Sequence, residues 1–261
     1  MDASETPLVY VILGAAGSGR RRVLADLIDG GLTPEDRGVV ILSEGEADPE
    51  LEKNFPRVAH WSWADGQIIM PEDAIGDATH VFFVTDGRKS PVDQIEAFKS
   101  WLTQSGAQLG RILCVVNCRL AEQHAELVAW YEACIHFSDV VLLTNREGVA
   151  NKWLSDFQNR FKDQYFPCLF ELVKEARVKN PPLVLEPEAR RMSHLFDETD
   201  WVVLDDELKE GDDSDDEGET EEEVEVVEEV DPYLERRIGG RRAKEIPDIS
   251  KFLEARPQSA T

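Results

Sequence analysis

Continuous apolar runs recur along the chain at residues 8–13, 39–42, 81–84, 112–116 and 140–143. They are rich in Val, Ile, Leu and Phe and lack the polar alternation of a half-exposed sheet, so they predict strands buried on both faces. Residues 57–63 add a candidate sixth strand. Between the runs, residues 20–29, 91–104 and 121–137 repeat apolar positions three and four apart, the helical period. In the last of these, Leu127, Val128, Trp130, Tyr131 and Cys134 form the expected core face. This alternation predicts an α/β fold, a mostly parallel sheet with helices on both faces. Beyond the fifth run, residues 152–161 and 167–177 read as helices packed through Phe157, Phe161, Leu169 and Leu172. Asn180-Pro181-Pro182 breaks the pattern, and residues 187–195 suit a short helix ahead of an apolar patch at 201–204.

Charge divides the chain further. The net charge of −25 is uneven: residues 205–231 carry −16, residues 232–261 carry +3, and residues 1–204 carry −12. An acidic run of that density cannot bury enough surface to fold alone, so a disordered segment is expected there. The expected organisation is a domain over 1–180, a short extension packed on it over 181–204, the acidic segment 205–231, and a basic and apolar tail over 232–261. In that tail, Tyr233, Leu234 and Ile238 interleave with Arg236, Arg237, Arg241 and Arg242, a composition suited to docking on protein. The acidic domain argues against general nucleic-acid binding, since phosphates are repelled. No apolar run approaches the ~20 residues that cross a bilayer, and no basic and apolar leader is seen, so a cytoplasmic protein without membrane attachment is expected. The four cysteines, Cys114, Cys118, Cys134 and Cys168, sit in apolar segments and read as buried free thiols.

Chemistry concentrates after the first strand, where Gly14, Ala15, Ala16, Gly17, Ser18 and Gly19 lead into Arg20, Arg21 and Arg22. The frame G-x-x-x-x-G between an apolar strand and an amphipathic helix is that of a phosphate-binding loop. Such a loop works because successive backbone N–H groups and a helix N-terminus converge on an anion. The Lys that ordinarily follows is Arg20, which supplies charge with a different reach. The Ser/Thr that holds magnesium is Arg21, which offers no oxygen and adds positive charge at the cation's seat.

Later segments extend the comparison. Ser43-Glu44-Gly45-Glu46-Ala47-Asp48 ends the second strand, Gly66-Gln67-Ile68-Ile69-Met70 follows the third, and Val84-Thr85-Asp86-Gly87-Arg88-Lys89-Ser90-Pro91-Val92 follows the next. Cys114-Val115-Val116-Asn117-Cys118 and Ser138-Asp139-Val140-Val141-Leu142-Leu143-Thr144-Asn145-Arg146-Glu147-Gly148 complete the series. In order and spacing, over roughly residues 8–150, these segments resemble the CobW-like branch of the CobW/HypB/UreG family of P-loop GTPases and metallochaperones. The resemblance implies a P-loop NTPase-like three-layer sandwich and a nucleotide, GTP or ATP, as the cofactor. It also implies site residues: Gly14 to Arg21 for phosphate, Asp86 and Gly87 for phosphate sensing, and Asn145 and Arg146 for the base, with Glu44 as the retained acidic residue after the second strand.

The departures from the family pattern are as informative as the matches. The metal motif's thiolates stand at Gln67, Ile69 and Met70, so a zinc carrier's ligands are gone, and Met70 reads as core. Val84 replaces an acidic residue, Asn117 an Asp, and Gly148 the Asp that pairs with guanine, which removes a buried acceptor on which base discrimination rests. Of magnesium, cationic clamp and positioned water, the parts of phosphoryl transfer, the clamp alone has a candidate, Arg20. Three functions therefore stand open. The first is a degenerate P-loop protein that binds nucleotide or phosphate weakly, independently of magnesium, and acts through protein contacts. The second is an active NTPase with an altered loop, and the third is a scaffold that recruits partners through its tail.

Overall fold

The computed structural model describes residues 6–197 and 230–253. Its strands are β1 (Leu8–Leu13), β2 (Gly38–Ser43), β3 (Val58–Ala64), β4 (Gln67–Ile69), β5 (His80–Val84), β6 (Gln108–Asn117), β7 (Val140–Thr144) and β8 (Leu169–Leu172). Its helices are α1 (Arg20–Gly31), α2 (Pro49–Glu52), α3 (Pro91–Ser105), α4 (Cys118–Gln123), α5 (Ala125–His136), α6 (Asn151–Lys162) and α7 (Pro181–Leu185). The strands form one sheet in the order β4-β3-β2-β5-β1-β6-β7-β8, parallel throughout except for the β3–β4 hairpin. Alternate residues of each strand feed opposite faces. Val9, Val11 and Leu13 join the core under α3, α5 and α6, while Tyr10 and Ile12 join the one under α1 and α7. The result is the three-layer arrangement expected from the buried apolar runs.

Three expected elements are corrected. The single helix over 121–137 is two, α4 and α5, separated at His124, whose extended backbone (φ −135°) interrupts the helix. Residues 167–177 are not helical: Leu169–Leu172 pair in parallel with β7, and a tight turn with left-handed Glu175 and Ala176 follows. The spacing of Leu169, Phe170, Leu172 and Val173 fits either period, and the open edge of β7 supplies backbone partners that a helix would leave unused. Residues 187–195 form no helix; the short helix lies earlier, at α7. Pro181 and Pro182 start it instead of breaking the pattern, because a first-turn proline forfeits no helical hydrogen bond.

The segment after α7 is tied to the sheet through buried charge. Arg111, fully buried on β6, donates to the carbonyls of Leu183, Val184 and Glu188, and Tyr10 donates to that of Leu185. Burial pushes the Tyr10 hydroxyl up to about 12. Asp139, also fully buried, accepts from the Ile112 and Arg190 amides and faces Arg191 at 3.2 Å.

Residues 231–252 return to the domain along α3 and α5. Tyr233 is buried against His136 and Phe137, Ile249 enters the core, and Phe252 stacks on His124 at 4.3 Å. Arg242 pairs with Asp93 and Glu96, and Arg236 also pairs with Glu96. Asp231 lies 2.9 Å from His136 Nε2 and accepts from the Ser193 hydroxyl and the Tyr233 amide. Burial alone would raise the Asp231 carboxyl, but these hydrogen bonds and the His136 charge outweigh it and hold it below the ordinary carboxylate range. A depressed carboxyl stabilises the docked segment above its ordinary pKa, about 3.9, and the contribution is lost as pH falls through the lower folded value. Amide protection across 231–252, taken relative to the unfolded-chain exchange rate at each pH, should therefore fall below about pH 4. It should also fall on adding salt at neutral pH, since the Arg236 and Asp93 sides of these pairs are half exposed. Exchange indifferent to both would mean that Tyr233 and Ile249 alone hold the segment. The acidic run and the apolar patch at 201–204 lie outside the described residues, apart from Val230 and Asp231.

Candidate functional site

The phosphate-loop candidate leaves the C-terminal end of β1, at the centre of the sheet between β5 and β6. Gly14, Gly17 and Gly19 adopt φ of 138°, 79° and 87°, and Gly19 sits at the N-cap of α1. A Cβ at Gly14 would stand 2.4 Å from the Val115 carbonyl, so the tight path requires glycine on both counts. The loop is held from two sides. Thr144, at the end of β7, donates to the Ser18 carbonyl at 2.8 Å, and Asn117 reaches the Gly17 carbonyl at 3.5 Å. Opposite, the Ala16 amide donates to the Gly87 carbonyl at 3.0 Å, which ties the loop to the turn after β5.

A strand, this loop and a helix at the centre of a parallel sheet, with β5 beside β1, make one recognisable arrangement. The fold is that of the P-loop NTPases. Within it, three arginines occupy the start of α1 with different fates. Arg20 is buried: Nη1 donates to the Thr85 carbonyl, and Nη2 lies 2.9 and 2.7 Å from the two carboxylate oxygens of Glu46. Arg21 is within 3.9 Å of Asp48, and Arg22 is exposed. The acidic residue that meets the loop is thus Glu46, not Glu44, which is exposed. Ser43 caps a single 3-10 turn, Glu44–Glu46, by accepting from the Gly45 amide, and that turn swings position 46 inward. Nothing in the E-G-E pattern of the sequence distinguishes the two.

Asp86 and Gly87, the phosphate-sensing candidates, form the turn that closes the site. Asp86 is buried; its amide donates to Gln94 Oε1, its carbonyl accepts from Gln94 Nε2, and its carboxylate accepts from the Arg88 amide. Gly87 donates its amide to Glu46 at 3.2 Å. A Cβ at Gly87 would meet the Ala16 nitrogen at 2.4 Å and the Gly14 carbonyl at 2.6 Å, so the close approach of turn and loop needs glycine there too.

The base candidates lie at the end of β7. Asn145 is exposed in the left-handed region (φ 49°), while the Arg146 guanidinium turns to the Val173 carbonyl at 3.3 to 3.4 Å. Glu147 gives its carbonyl to Arg119, and Gly148 takes φ 82°. Asn117, besides its contact with the loop, caps α4 by accepting from the Leu120 amide. The segment 66–70 builds the turn and second strand of the β3–β4 hairpin, with Ile68 buried and Met70 packed against the core. Among the described residues, no group of three or more His, Cys, Asp or Glu side chains is arranged to hold a metal. The four cysteines are buried free thiols, and burial raises Cys118 and Cys168 to about 12, far from nucleophilic. Among the described residues no helix is long and apolar enough to cross a membrane.

No family model and no curated protein matches the chain. Among solved structures, it is similar to the Zn(II)-bound YjiA GTPase from E. coli, with 15% identity over 71% of this chain and 67% of that one (TM-score 0.47). It is similar to the hydrogenase maturation factor HypB from Archaeoglobus fulgidus, with 12% identity over 64% and 81% of the two chains (TM-score 0.45). It is also similar to the signal recognition particle receptor FtsY from Elizabethkingia anophelis in complex with GDP, with 14% identity over 71% and 64% (TM-score 0.48).

Proposed function

We propose that this chain is a degenerate CobW-like P-loop protein that binds a nucleotide or another phosphate weakly, independently of magnesium and with little or no hydrolysis, and acts through protein contacts in the cytoplasm. The observation that carries the reading is at position 21. Where a magnesium-holding hydroxyl would stand in the first turn of α1 is Arg21, which offers the cation no oxygen ligand and lies within 3.9 Å of Asp48. The phosphate-facing features survive beside it, namely the loop glycines and the buried Arg20. Asn145 remains exposed for a base, whereas Arg146 is engaged with Val173 and Gly148 has no carboxylate, so discrimination between GTP and ATP should be poor. Protein contacts are assigned to the C-terminal tail, which lies along α3 and α5 and would be read by a partner together with those helices.

Titration calorimetry with GTP, ATP and GDP, each with and without magnesium, tests this. Weak binding of equal strength in both conditions, lost in Arg20→Ala, is expected. Magnesium-dependent binding with turnover would instead mark an active NTPase with an altered loop. A second reading, a scaffold that takes no nucleotide, is favoured by the carboxylate partners of Arg20 and Arg21. It predicts no heat with any of the three.

A further inference from the structure

We propose that Glu46 is an internal stand-in for a phosphate group, a carboxylate gate that a diphosphate or triphosphate must displace to enter the loop. The inference rests on the reading of Gly14 to Arg21 as an anion site and adds how access to that site is controlled.

The Glu46 carboxylate is held as a bound anion would be. It takes Arg20 Nη2 on both oxygens at 2.7 and 2.9 Å, and the Gly87 amide on one of them at 3.2 Å. Both side chains are nearly removed from water, at 5% exposure for Arg20 and 11% for Glu46. The pair sits at the N-terminus of a twelve-residue helix, α1, where the unsatisfied amides and the helix dipole favour negative charge. Neither the first turn of α1 nor the Gly19 cap offers a side-chain acceptor of its own.

A second observation points to a ligand. The Ser18 hydroxyl is fully buried in the loop and has no hydrogen-bond partner. It lies beside the Arg20 stem: the direction of a Cβ on Gly14 meets Ser18 Oγ and Arg20 Cδ, each at 3.2 Å. A buried hydroxyl left unpaired is costly, and a phosphate oxygen is the acceptor that such a loop is shaped to receive. Ser18 and Arg20 are therefore neighbours within the loop, and the carboxylate neutralises the cation without satisfying the hydroxyl.

Glu46 is also placed to leave. It ends a single 3-10 turn whose neighbours Glu44 and Ala47 are exposed, so an outward swing unpacks no core residue. One carboxylate carries one charge and two acceptor oxygens. A pyrophosphate group carries more of both, and it can bind Arg20 and Ser18 together. Magnesium has no part in the exchange, because Arg21 offers it no oxygen ligand.

The test uses the full chain as wild type, Glu46→Gln, Glu46→Ala and Arg20→Ala, with inorganic pyrophosphate and then GTP as probes in magnesium-free buffer. Calorimetry gives the affinities, amide spectra report Ala16 and Gly87, and thermal unfolding confirms that each variant folds. Pyrophosphate should bind Glu46→Gln at least about tenfold more tightly than wild type, the scale of one charge-assisted hydrogen bond. Glu46→Ala should behave likewise, Arg20→Ala should not bind, and the Gly87 amide should shift on binding. Equal affinities in wild type and both Glu46 variants would overturn the gate while leaving weak phosphate binding intact. Absence of binding in all of them would overturn the gate and the phosphate half of the functional reading together. Turnover with magnesium in wild type would overturn the functional reading alone, and the gate would stand or fall on the ratio of affinities.

Discussion

Replacing Asp139 by Ala should lower the unfolding free energy by about 3–5 kcal/mol, the range for removing one partner of a buried ion pair. Urea unfolding followed by tryptophan fluorescence measures it. The carboxylate is fully buried where β7 begins, and it serves three donors: the Ile112 amide at 2.7 Å, the Arg190 amide at 2.6 Å and the Arg191 guanidinium at 3.2 Å. Burial raises its pKa against the pull of those donors, so the pair itself adds little net stability. The large effect comes from what is left behind. Arg191 is 7% exposed and would keep one carboxylate partner, the half-exposed Asp197 at 3.1 Å; its Nε already lacks a partner, and the Ile112 amide lies inside the sheet. A loss below about 1 kcal/mol, the ordinary size of a surface pair, would show that water replaces the carboxylate and that the network matters little. Because Asp139 joins β6, β7 and residues 190–191, the same variant should expose the segment after α7 to proteolysis before the sheet melts.

Gly87→Ala should separate the phosphate loop from the turn after β5. The added Cβ falls 2.4 Å from the Ala16 nitrogen, 2.6 Å from the Gly14 carbonyl and 2.5 Å from Arg20 Nη2. A flexible side chain could yield, but two of these three atoms belong to the backbone of the loop, which Thr144 holds a few residues on through the Ser18 carbonyl. The cost expected for such overpacking is about 1–3 kcal/mol. Its signature is local: amide exchange at Ala16 should rise by more than exchange in β1, and the Arg20–Glu46 pair should loosen with it. Unchanged protection at Ala16 would mean that the turn moves as a unit and that the loop's shape does not depend on it.

Much of the fold was legible along the chain because a buried parallel strand writes itself as a continuous apolar run. β1 matches the first such run residue for residue, and β2, β5, β6 and β7 each contain theirs. The glycine loop after β1 was legible for a related reason, since the left-handed backbone of Gly14, Gly17 and Gly19 leaves a trace that only glycine makes. Edges were not legible. Leu169–Leu172 became a strand because β7 had unpaired backbone beside it, and α7 began at two prolines whose local meaning is ambiguous between start and stop. Nor was the end of α4, where one extended residue, His124, divides an otherwise continuous helical pattern.

The site divides along the same line. Sequence alone determined that the loop keeps its glycines, that position 21 carries no hydroxyl and that position 148 carries no carboxylate, because those are matters of which atoms are present. It also located a basic and aromatic tail. Tertiary structure alone decided that Arg20 is neutralised by Glu46, not Glu44, and that Arg146 turns away to Val173. It likewise decided that Arg236 and Arg242 of the tail rest on Asp93 and Glu96 of α3. The physical reason is common to all three. The partner of a guanidinium is chosen by distance and burial, and residues far apart or side by side in sequence acquire those only when a turn or a docked segment brings them together.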